Sequence, residues 1–429
     1  MLKTITNILK NKEVLNRIIF TLGVLLVFRL GAAITVPRID AVMLMAGAGD
    51  NSLLAIMNML GGGHLQRFSI FALGVGPYIT ASIVIQMLSM DVVPYLTELT
   101  KSGDTGKKQI DKITRYLTAI LAFIQAYTMT WAFDTSYGIV QDPSVVTYAY
   151  VAVILTAGTM FLCWLGDRIS LKGIGNGMSM LIFAGIVSNI PAQFTMVYNT
   201  ILSANAENRG LGIGLFVGYI VIYFVMVILV IYMTQAVRKI PIQYTSSSVQ
   251  RGKNDMTFIP LKINSANVIP VIFASAMMTA PMTIASFFPR NAVTAFIDNT
   301  LNFQRPIGLA IYLVLIVMFT FFYTNLQVDP EKMSDNLNRN GSYIVGIRPG
   351  ADTKNYIATI LNRITVLGAL GLAFIAALPP LLTIIFPVLP GIAALFGTGI
   401  IIVIGVALET AKDVHSRLAK RDYHGFVKK

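Results

Sequence analysis

The sequence predicts an all-α polytopic membrane protein with ten transmembrane helices. Hydrophobic residues make up 55% of its 429 residues and charged residues only 12%, and the mean hydropathy is +0.69. Soluble domains are about 25% charged, so this chain has too little polar surface to cover a globule of its length. Apolar windows of about 20 residues, long enough to cross the hydrocarbon core of a bilayer, recur ten times along it.

The predicted spans fall into two groups of five. They cover 18–36, 65–90, 116–132, 148–165, 178–194, 213–234, 268–288, 307–324, 364–386 and 392–408. An odd number of spans reverses the orientation of a tandem copy, so two five-span halves would form an inverted pair. We expect halves at 1–195 and 196–410 and a basic cytoplasmic tail at 411–429, although no residue-level repeat is evident. The polar connection 189–210 is either the hinge between the halves or an ordinary loop.

The distribution of basic residues predicts the orientation of the chain. Of the 33 lysines and arginines, 27 lie in alternate connections and the termini, and only four lie in the opposite loops. The basic segments are 1–17, 91–115, 167–174, 235–263, 327–363 and 412–429. Because basic loops stay in the cytoplasm, both termini are expected there. The excess of basic residues behind the net charge of +13 therefore indicates membrane topology first and a binding surface second.

The second span is interrupted near its middle. Its apolar length suits one helix, but Gly74, Gly76 and Pro77 stand inside it. Proline removes a helical hydrogen bond and clashes with the preceding turn, so we expect two half-helices. A proline-kinked helix packed against its neighbours is the alternative.

The two half-helices differ in polarity. The first carries His64, Gln66 and Arg67, and a guanidinium facing lipid at mid-depth would be costly. Broken backbone at membrane depth is tolerated only where it is buried in protein or lines an aqueous cavity. We therefore expect the first half to be a short helix inside a pore. The second half places Ile79 and Ile83 on one face.

Two cytoplasmic loops are longer than a tether requires. The loop 236–264 has β-branched runs at 240–244 and 257–261 around a polar tip, which predicts a projecting β-hairpin or ribbon. In the loop 329–363, glycine and proline residues break any long helix. Loops of this length bind partners or regulate, and a solvated linker is the alternative.

Motifs for catalysis and metal binding are not recognisable in the sequence. The run GDTGKK at 103–108 lacks the glycine spacing and the Ser or Thr of a phosphate-binding loop. The glycines of LKGIGNGMS at 171–179 lack the dinucleotide-binding spacing. The histidines share no ligand spacing with each other or with Cys163, the single cysteine. We expect no enzymatic activity, no cofactor and no metal site.

The predicted spans contain few ionisable groups. Besides Arg67 in the second span, they offer Arg29, Asp134 at an external end and Glu409 at an internal end, and the other polar candidates, Gln86, Gln125 and Asn176, are neutral. Ion-coupled transporters need ionisable groups near the midplane to bind and release the coupling ion. The pattern favours a conduit whose cargo is moved by something else, with Arg29 as a structural anchor.

Five segments spread over both halves carry recognisable motifs. They are FALGVGPYITASIVIQML (71–88), GDRISLKGIGNGMSMLIFAGIV (166–187), PLKINSANVIPVIFASA (260–276), FFYTNLQVDPEKMSDNLNRNG (321–341) and GIRPGADTKNYI (346–357). Together they resemble the bacterial SecY family, the channel subunits of the general protein translocon. Span count, loop sizes and termini match along nearly the whole chain.

The resemblance implies an hourglass of ten helices in two inverted halves around a central pore. A plug helix from the second span, here roughly 61–73, would close the outer funnel. Its residues would include His64, Leu65, Gln66, Arg67, Phe68, Ser69, Ile70 and Phe71. The positions that match the aliphatic ring at the pore waist are Ile79, Ile83, Ile182, Ile186, Ile272 and Ile402. An aliphatic constriction dewets when empty and grips no particular sequence.

The resemblance also implies a lateral gate and a docking surface. The gate would run between spans two and three on one side and spans seven and eight on the other. Candidate contacts at its faces are Ser82, Gln86, Gln125, Ala274 and Ser275. Docking would use Arg251 and Lys253 at the tip of the first long loop and Arg348 in the second, because arginine binds carboxylate or phosphate bidentately.

The implied function is a passive protein-conducting channel in the bacterial cytoplasmic membrane. It would translocate unfolded secretory polypeptides and release transmembrane segments laterally into lipid, driven by a motor ATPase or the ribosome. Expected partners are SecE-type and SecG-type small membrane subunits, the SecA motor ATPase, the ribosome with its RNA, signal peptides, nascent chains and membrane lipid. A secondary transporter of inverted-repeat build and an insertase without a through-pore are the alternatives, with a membrane enzyme more distant.

Overall fold

Thirteen helices and three strands make up the described part of the computed structural model, which covers 11–40, 68–89, 92–204, 209–244, 257–286, 291–302, 305–385 and 398–422. In chain order they are α1 Lys12–Ala33, α2 Gly76–Leu88, α3 Pro94–Lys101, α4 Asp104–Tyr137, α5 Val145–Lys172, α6 Gly177–Ala204, α7 Arg209–Gln235, β1 Val237–Tyr244, β2 Thr257–Lys262, α8 Ile269–Ser286, α9 Ala292–Leu301, α10 Pro306–Gln327, α11 Pro330–Arg339, β3 Ser342–Ile344, α12 Ala351–Ile385 and α13 Thr398–Asp422.

The chain divides into two units. The first comprises Met1–Met196, Ser286–Pro289 and Val406–Lys429, and the second comprises Val197–Ala285 and Arg290–Gly405. Boundaries fall inside α6 and α13 and before the last residue of α8, so each of these helices contributes residues to both units.

Each of the ten predicted spans overlaps a helix. Within the described ranges, seven helices are long and apolar enough to cross a membrane, namely α1, α4, α5, α6, α7, α10 and α12. The helices α2 and α8 are apolar but shorter, and α13 joins the apolar end of the tenth span to a charged segment. The prediction of an all-α polytopic membrane protein is confirmed.

Large apolar side chains cover much of the outer surface. On α1, Ile19, Leu22 and Leu26 are each more than half exposed at the spacing of one helical face. Only 17% of the most apolar 18-residue stretch of α7 is buried inside the protein. In water such a surface would be unfavourable, whereas in a bilayer the acyl chains cover it.

The break in the second span is confirmed, but the helix expected before it is not observed in its described part. Residues 68–75 form successive turns, and Gly74 adopts a left-handed conformation with φ 57°. The helix α2 begins at Gly76, with Pro77 in its first turn, where a missing N–H costs nothing. The prediction of a helix over 61–73 is therefore wrong for 68–73, and 61–67 lie outside the described residues.

The first long loop, 236–264, forms the predicted hairpin. In the second unit β1 pairs antiparallel with β2, with Ile240 opposite Ile259. The sequence did not predict β3, which comes from the second long loop and pairs with the other edge of β1, placing Ile242 opposite Ile344. These strands bury a small core that includes Ile240, Ile242, Leu261, Leu337, Ile344, Ile357 and Ile364. The two loops are therefore one folded body.

Candidate functional site

The turn segment 68–75 is pinned inside the first unit. Its backbone pairs with the chain after α1: the Val36 N–H donates to the Phe68 oxygen and the Ile70 N–H donates to the Ile34 oxygen, both at 3.0 Å. These bonds satisfy backbone groups that lipid could not satisfy. Phe68 is fully buried although its φ is +43°, a conformation that strains a bulky residue. The surrounding packing therefore determines this local geometry.

Aromatic packing holds the same segment from the side. The Phe71 ring is buried and lies between Phe28 of α1 and Phe161 of α5, with centroid distances of 6.0 and 6.2 Å. Close approach is possible because Gly31 and Gly158 lack a side chain. A β-carbon at 158 would overlap the carbonyl oxygen of Ile70, and one at 31 would overlap the Phe71 ring. The segment 68–75 is therefore closely packed against α1 and α5 just before α2 begins.

This arrangement bears on the predicted plug. Phe68, Ser69 and Phe71 are buried and Ile70 is half-buried in the first unit. The other predicted plug residues, His64, Leu65, Gln66 and Arg67, lie outside the described residues. The four described residues of the predicted plug, 68–71, are thus packed inside the first unit just before α2.

The six isoleucines of the predicted pore ring divide between the units. They are Ile79 and Ile83 on α2, Ile182 and Ile186 on α6, Ile272 on α8 and Ile402 on α13, the first four in the first unit and the last two in the second. All six are buried or half-buried, whereas Ile19 of α1 and Ile222 of α7 are exposed. Of the six, Ile186 and Ile402 are buried and the other four are half-buried. That the six meet at one constriction stays a prediction.

The predicted gate residues also divide between the units. On α2, the Gln86 side-chain amide donates to the Ser82 hydroxyl at 3.1 Å. On α4, Gln125 is half-buried. In the second unit Ala274 and Ser275 are buried on α8. The structure pairs Ser82 with Gln86 and places the small residues in a packed position.

The predicted docking arginine of the second loop is exposed. Arg348 lies in the turn 345–350 between β3 and α12, and its guanidinium makes no salt bridge or hydrogen bond within the described part of the chain. Arg251 and Lys253 lie outside the described residues. The turn that carries this exposed cation directly follows β3 of the three-stranded sheet, so it is attached to folded structure.

Arg29 links two helices of the first unit. Its Nη1 donates to the hydroxyl of Ser188 at 3.2 Å, which joins α1 to α6 inside the first unit. Ser188 in turn donates to the carbonyl of Gly185. The guanidinium thus has a neutral hydrogen-bonding partner, and its role as a structural anchor stays a prediction.

Sequence reasoning missed a junction at the turn between α5 and α6. The Ile174 N–H donates to the Thr21 hydroxyl of α1, and the Gly175 N–H donates to a carboxylate oxygen of Asp413 on α13, both at 3.1 Å. Arg417 donates to both Asp413 oxygens at 3.0 Å. Asp413 is an acidic residue within a basic tail, and that contrast was the only signal in the sequence.

Comparison with known proteins identifies the family. A family model described as SecY matches residues 69–411. The protein translocase subunit SecY of Bacillus licheniformis is 47% identical over 434 residues, covering all of both chains. A solved protein-conducting channel has a TM-score of 0.71 at 17% identity, covering 98% of this chain and 96% of that one. Sec61 in a canine ribosome-channel complex has a TM-score of 0.68 at 17% identity with the same coverage.

The two kinds of comparison support different conclusions. The solved structures are distant in sequence and show that the fold is shared. The family model covers most of the chain, and the bacterial relative is nearly half identical from end to end. The chain therefore belongs to the SecY family of protein translocase subunits, which are membrane channels for proteins.

Proposed function

We propose that the chain conducts unfolded secretory polypeptides across the bacterial cytoplasmic membrane and releases transmembrane segments laterally into lipid. The observation that carries this proposal is the full-length similarity to a protein translocase subunit. The scarcity of charged residues in the spans supports a passive conduit. Arg29, the charged residue farthest from a span end, donates a hydrogen bond to Ser188. Energy would then come from a motor ATPase or from chain synthesis.

The six ring isoleucines would line the narrowest part of the conduit. None of the six is exposed, in contrast to Ile19 and Ile222, and an aliphatic constriction dewets, which would oppose ion leakage between translocation events. β-Branched side chains are stiff at χ1, so the collar would keep a defined shape. Ile79 lies in the first turn of α2, and its N–H donates to the carbonyl of Val75 in the segment 68–75 at 3.1 Å, which would hold this part of the collar in place.

Lateral release requires that helices separate without exposing unsatisfied polar groups. The Ser82 hydroxyl accepts from Gln86 within α2, so these two side chains keep a partner when a neighbouring helix moves away. Small residues such as Ala274 and Ser275 allow close but weakly interlocked packing. Both features support the assignment of α2 and α8 to the gate.

The cytoplasmic loops would bind the motor ATPase SecA and the ribosome. Support comes from the exposed Arg348 on its folded sheet and from the shared fold with Sec61, whose structure was solved in a ribosome-channel complex. Arg251 and Lys253 would belong to the same surface. We further propose SecE-type and SecG-type membrane subunits as partners, and a topology with both termini in the cytoplasm, which the basic-residue distribution supports.

Site-specific crosslinking tests the conduit. A photoreactive amino acid at Ile83 or Ile402 is expected to crosslink to a secretory chain stalled during export, and the same probe at exposed Ile222 is the matched control. Crosslinks of equal yield at all three positions, or none at the ring positions, would favour an insertase without a through-pore.

Reconstitution separates the channel from a transporter. Vesicles that hold the purified translocase are expected to take up an unfolded secretory protein when SecA and ATP are supplied. Ion-driven counterflow of a small solute, without protein uptake, would instead support the transporter.

A further inference from the structure

The turn that carries Arg348 is fastened on both sides of Pro349 by buried hydroxyl groups. The hydroxyl of Thr353, in the first turn of α12, donates to the Arg348 carbonyl at 2.8 Å. The hydroxyl of Ser334, on α11, donates to the Gly350 carbonyl at 2.9 Å. Thr353 and Ser334 are only 2% and 4% exposed, so the two donor residues are shielded from bulk water.

The remaining geometry of the turn narrows its conformations further. Pro349 has a fixed φ and restricts Arg348 before it to extended backbone. Gly346 and Gly350 adopt φ values of 83° and 98°, which residues with a side chain rarely adopt. The Lys354 N–H of α12 also donates to the Gly350 carbonyl, at 3.1 Å. The two buried hydroxyls add side-chain hydrogen bonds that join the turn to α11 and α12.

The base of the turn is equally well tied. β3 pairs with β1, and Ser342 donates through its hydroxyl to the carbonyl of Leu337 on α11. Lys354 of α12 forms an ion pair with Glu331 of α11 at 2.7 Å. The exposed Arg348 side chain therefore belongs to a turn whose backbone is held by α11, α12 and the sheet.

We propose that Ser334 and Thr353 are positioning residues that hold the Arg348 turn in one conformation for binding to an acidic group of the motor ATPase. This inference rests on the proposed docking role of Arg348. A bidentate arginine contact is directional, so a preorganised backbone lowers the entropy lost on binding. Neither hydroxyl is exposed enough to touch the partner directly.

Binding of SecA to the reconstituted translocase tests the proposal. Thr353→Val and Ser334→Ala are each expected to weaken binding by about threefold to tenfold, the range for ordering a flexible segment on association. Thr353→Ser keeps the hydroxyl and should restore binding to the original level. Thr365→Val is the matched control, because Thr365 is also buried on α12 and donates to the Leu361 carbonyl, far from the turn.

A double-mutant cycle distinguishes positioning from general stability. If Thr353 acts through Arg348, the Arg348→Ala and Thr353→Val changes together should weaken binding no further than Arg348→Ala alone. Amide exchange over 345–350 should also accelerate in Thr353→Val and not in Thr365→Val. Additive losses, or unchanged affinity in both hydroxyl variants, would overturn the inference. Unchanged affinity in Arg348→Ala would instead show that the proposed docking role is wrong.

Discussion

The contact between α5 and the turn segment 68–75 predicts that the same substitution, glycine to alanine, changes protein stability differently at two positions. Gly158→Ala adds a β-carbon that would overlap the Ile70 carbonyl oxygen and lie 3.3 Å from the Phe71 ring. Gly23→Ala on α1 adds the same atom where no heavy atom of the described structure lies within 4 Å. Both glycines are inside helices, so the gain in helix propensity, about 1 kcal/mol, is common to both.

The difference between the two variants isolates the cost of the overlap. The obstructing group at 158 is backbone rather than the end of a flexible side chain, so α5 or the turn must move. Overpacking of a tight contact costs about 1–3 kcal/mol. We therefore expect the Gly23→Ala protein to be more stable than the parent by up to about 1 kcal/mol, and the Gly158→Ala protein to be less stable than Gly23→Ala by about 1–3 kcal/mol.

Tryptophan fluorescence provides the measurement. The chain has two tryptophans, Trp131 on α4 and Trp164 on α5, and both lie in the first unit. Urea unfolding of the purified protein in detergent, followed by this signal, therefore reports on the unit that contains both glycines. Equal midpoints for the two variants would refute the close approach of α5 to the turn, and Gly158→Val should lower the midpoint further than Gly158→Ala.

Three further predictions concern the waist, the docking turn and the α13 junction. Ile402→Asn should wet the waist and raise export of a protein with a defective signal sequence; unchanged export would count against its place in the ring. Arg348→Glu should abolish SecA-driven export while membrane assembly continues, whereas Arg339→Glu, an exposed change at the end of α11, should leave export near normal. Asp413→Ala removes the acceptor of the Gly175 N–H and should lower the stability of the first unit by about 1 kcal/mol, measured by urea unfolding with tryptophan fluorescence. An unchanged urea midpoint would show that water replaces this bond without cost.

Features that depend on nearby residues were predictable from the sequence. The spans follow from apolar runs, because each membrane helix satisfies its own backbone and needs only sufficient length. The start of α2 at Gly76 follows from Pro77, and the β1–β2 hairpin follows from two β-branched runs close in sequence. The candidate ring, gate and docking residues came from motif resemblance rather than from periodicity, and their roles are proposals.

The errors and omissions have a common physical origin in contacts between distant residues. Apolarity over 68–73 favoured a helix, but hydrogen bonds to 34–36 and the aromatic stack around Phe71 stabilise turns there instead. A strand of three residues such as β3 has no detectable period, and it forms because β1 offers it an open edge.

The sequence by itself determined the membrane class, the ten spans, the break in the second and the family. The tertiary structure alone decided that Thr21 and Asp413 meet the α5–α6 turn, and that buried Ser334 and Thr353 hold the turn of Arg348. Span formation depends on burial of a continuous apolar stretch, which composition reveals. A polar side chain acquires its hydrogen-bonding partner only when segments far apart in the chain are packed together, as with Gly175 and Asp413, 238 residues apart.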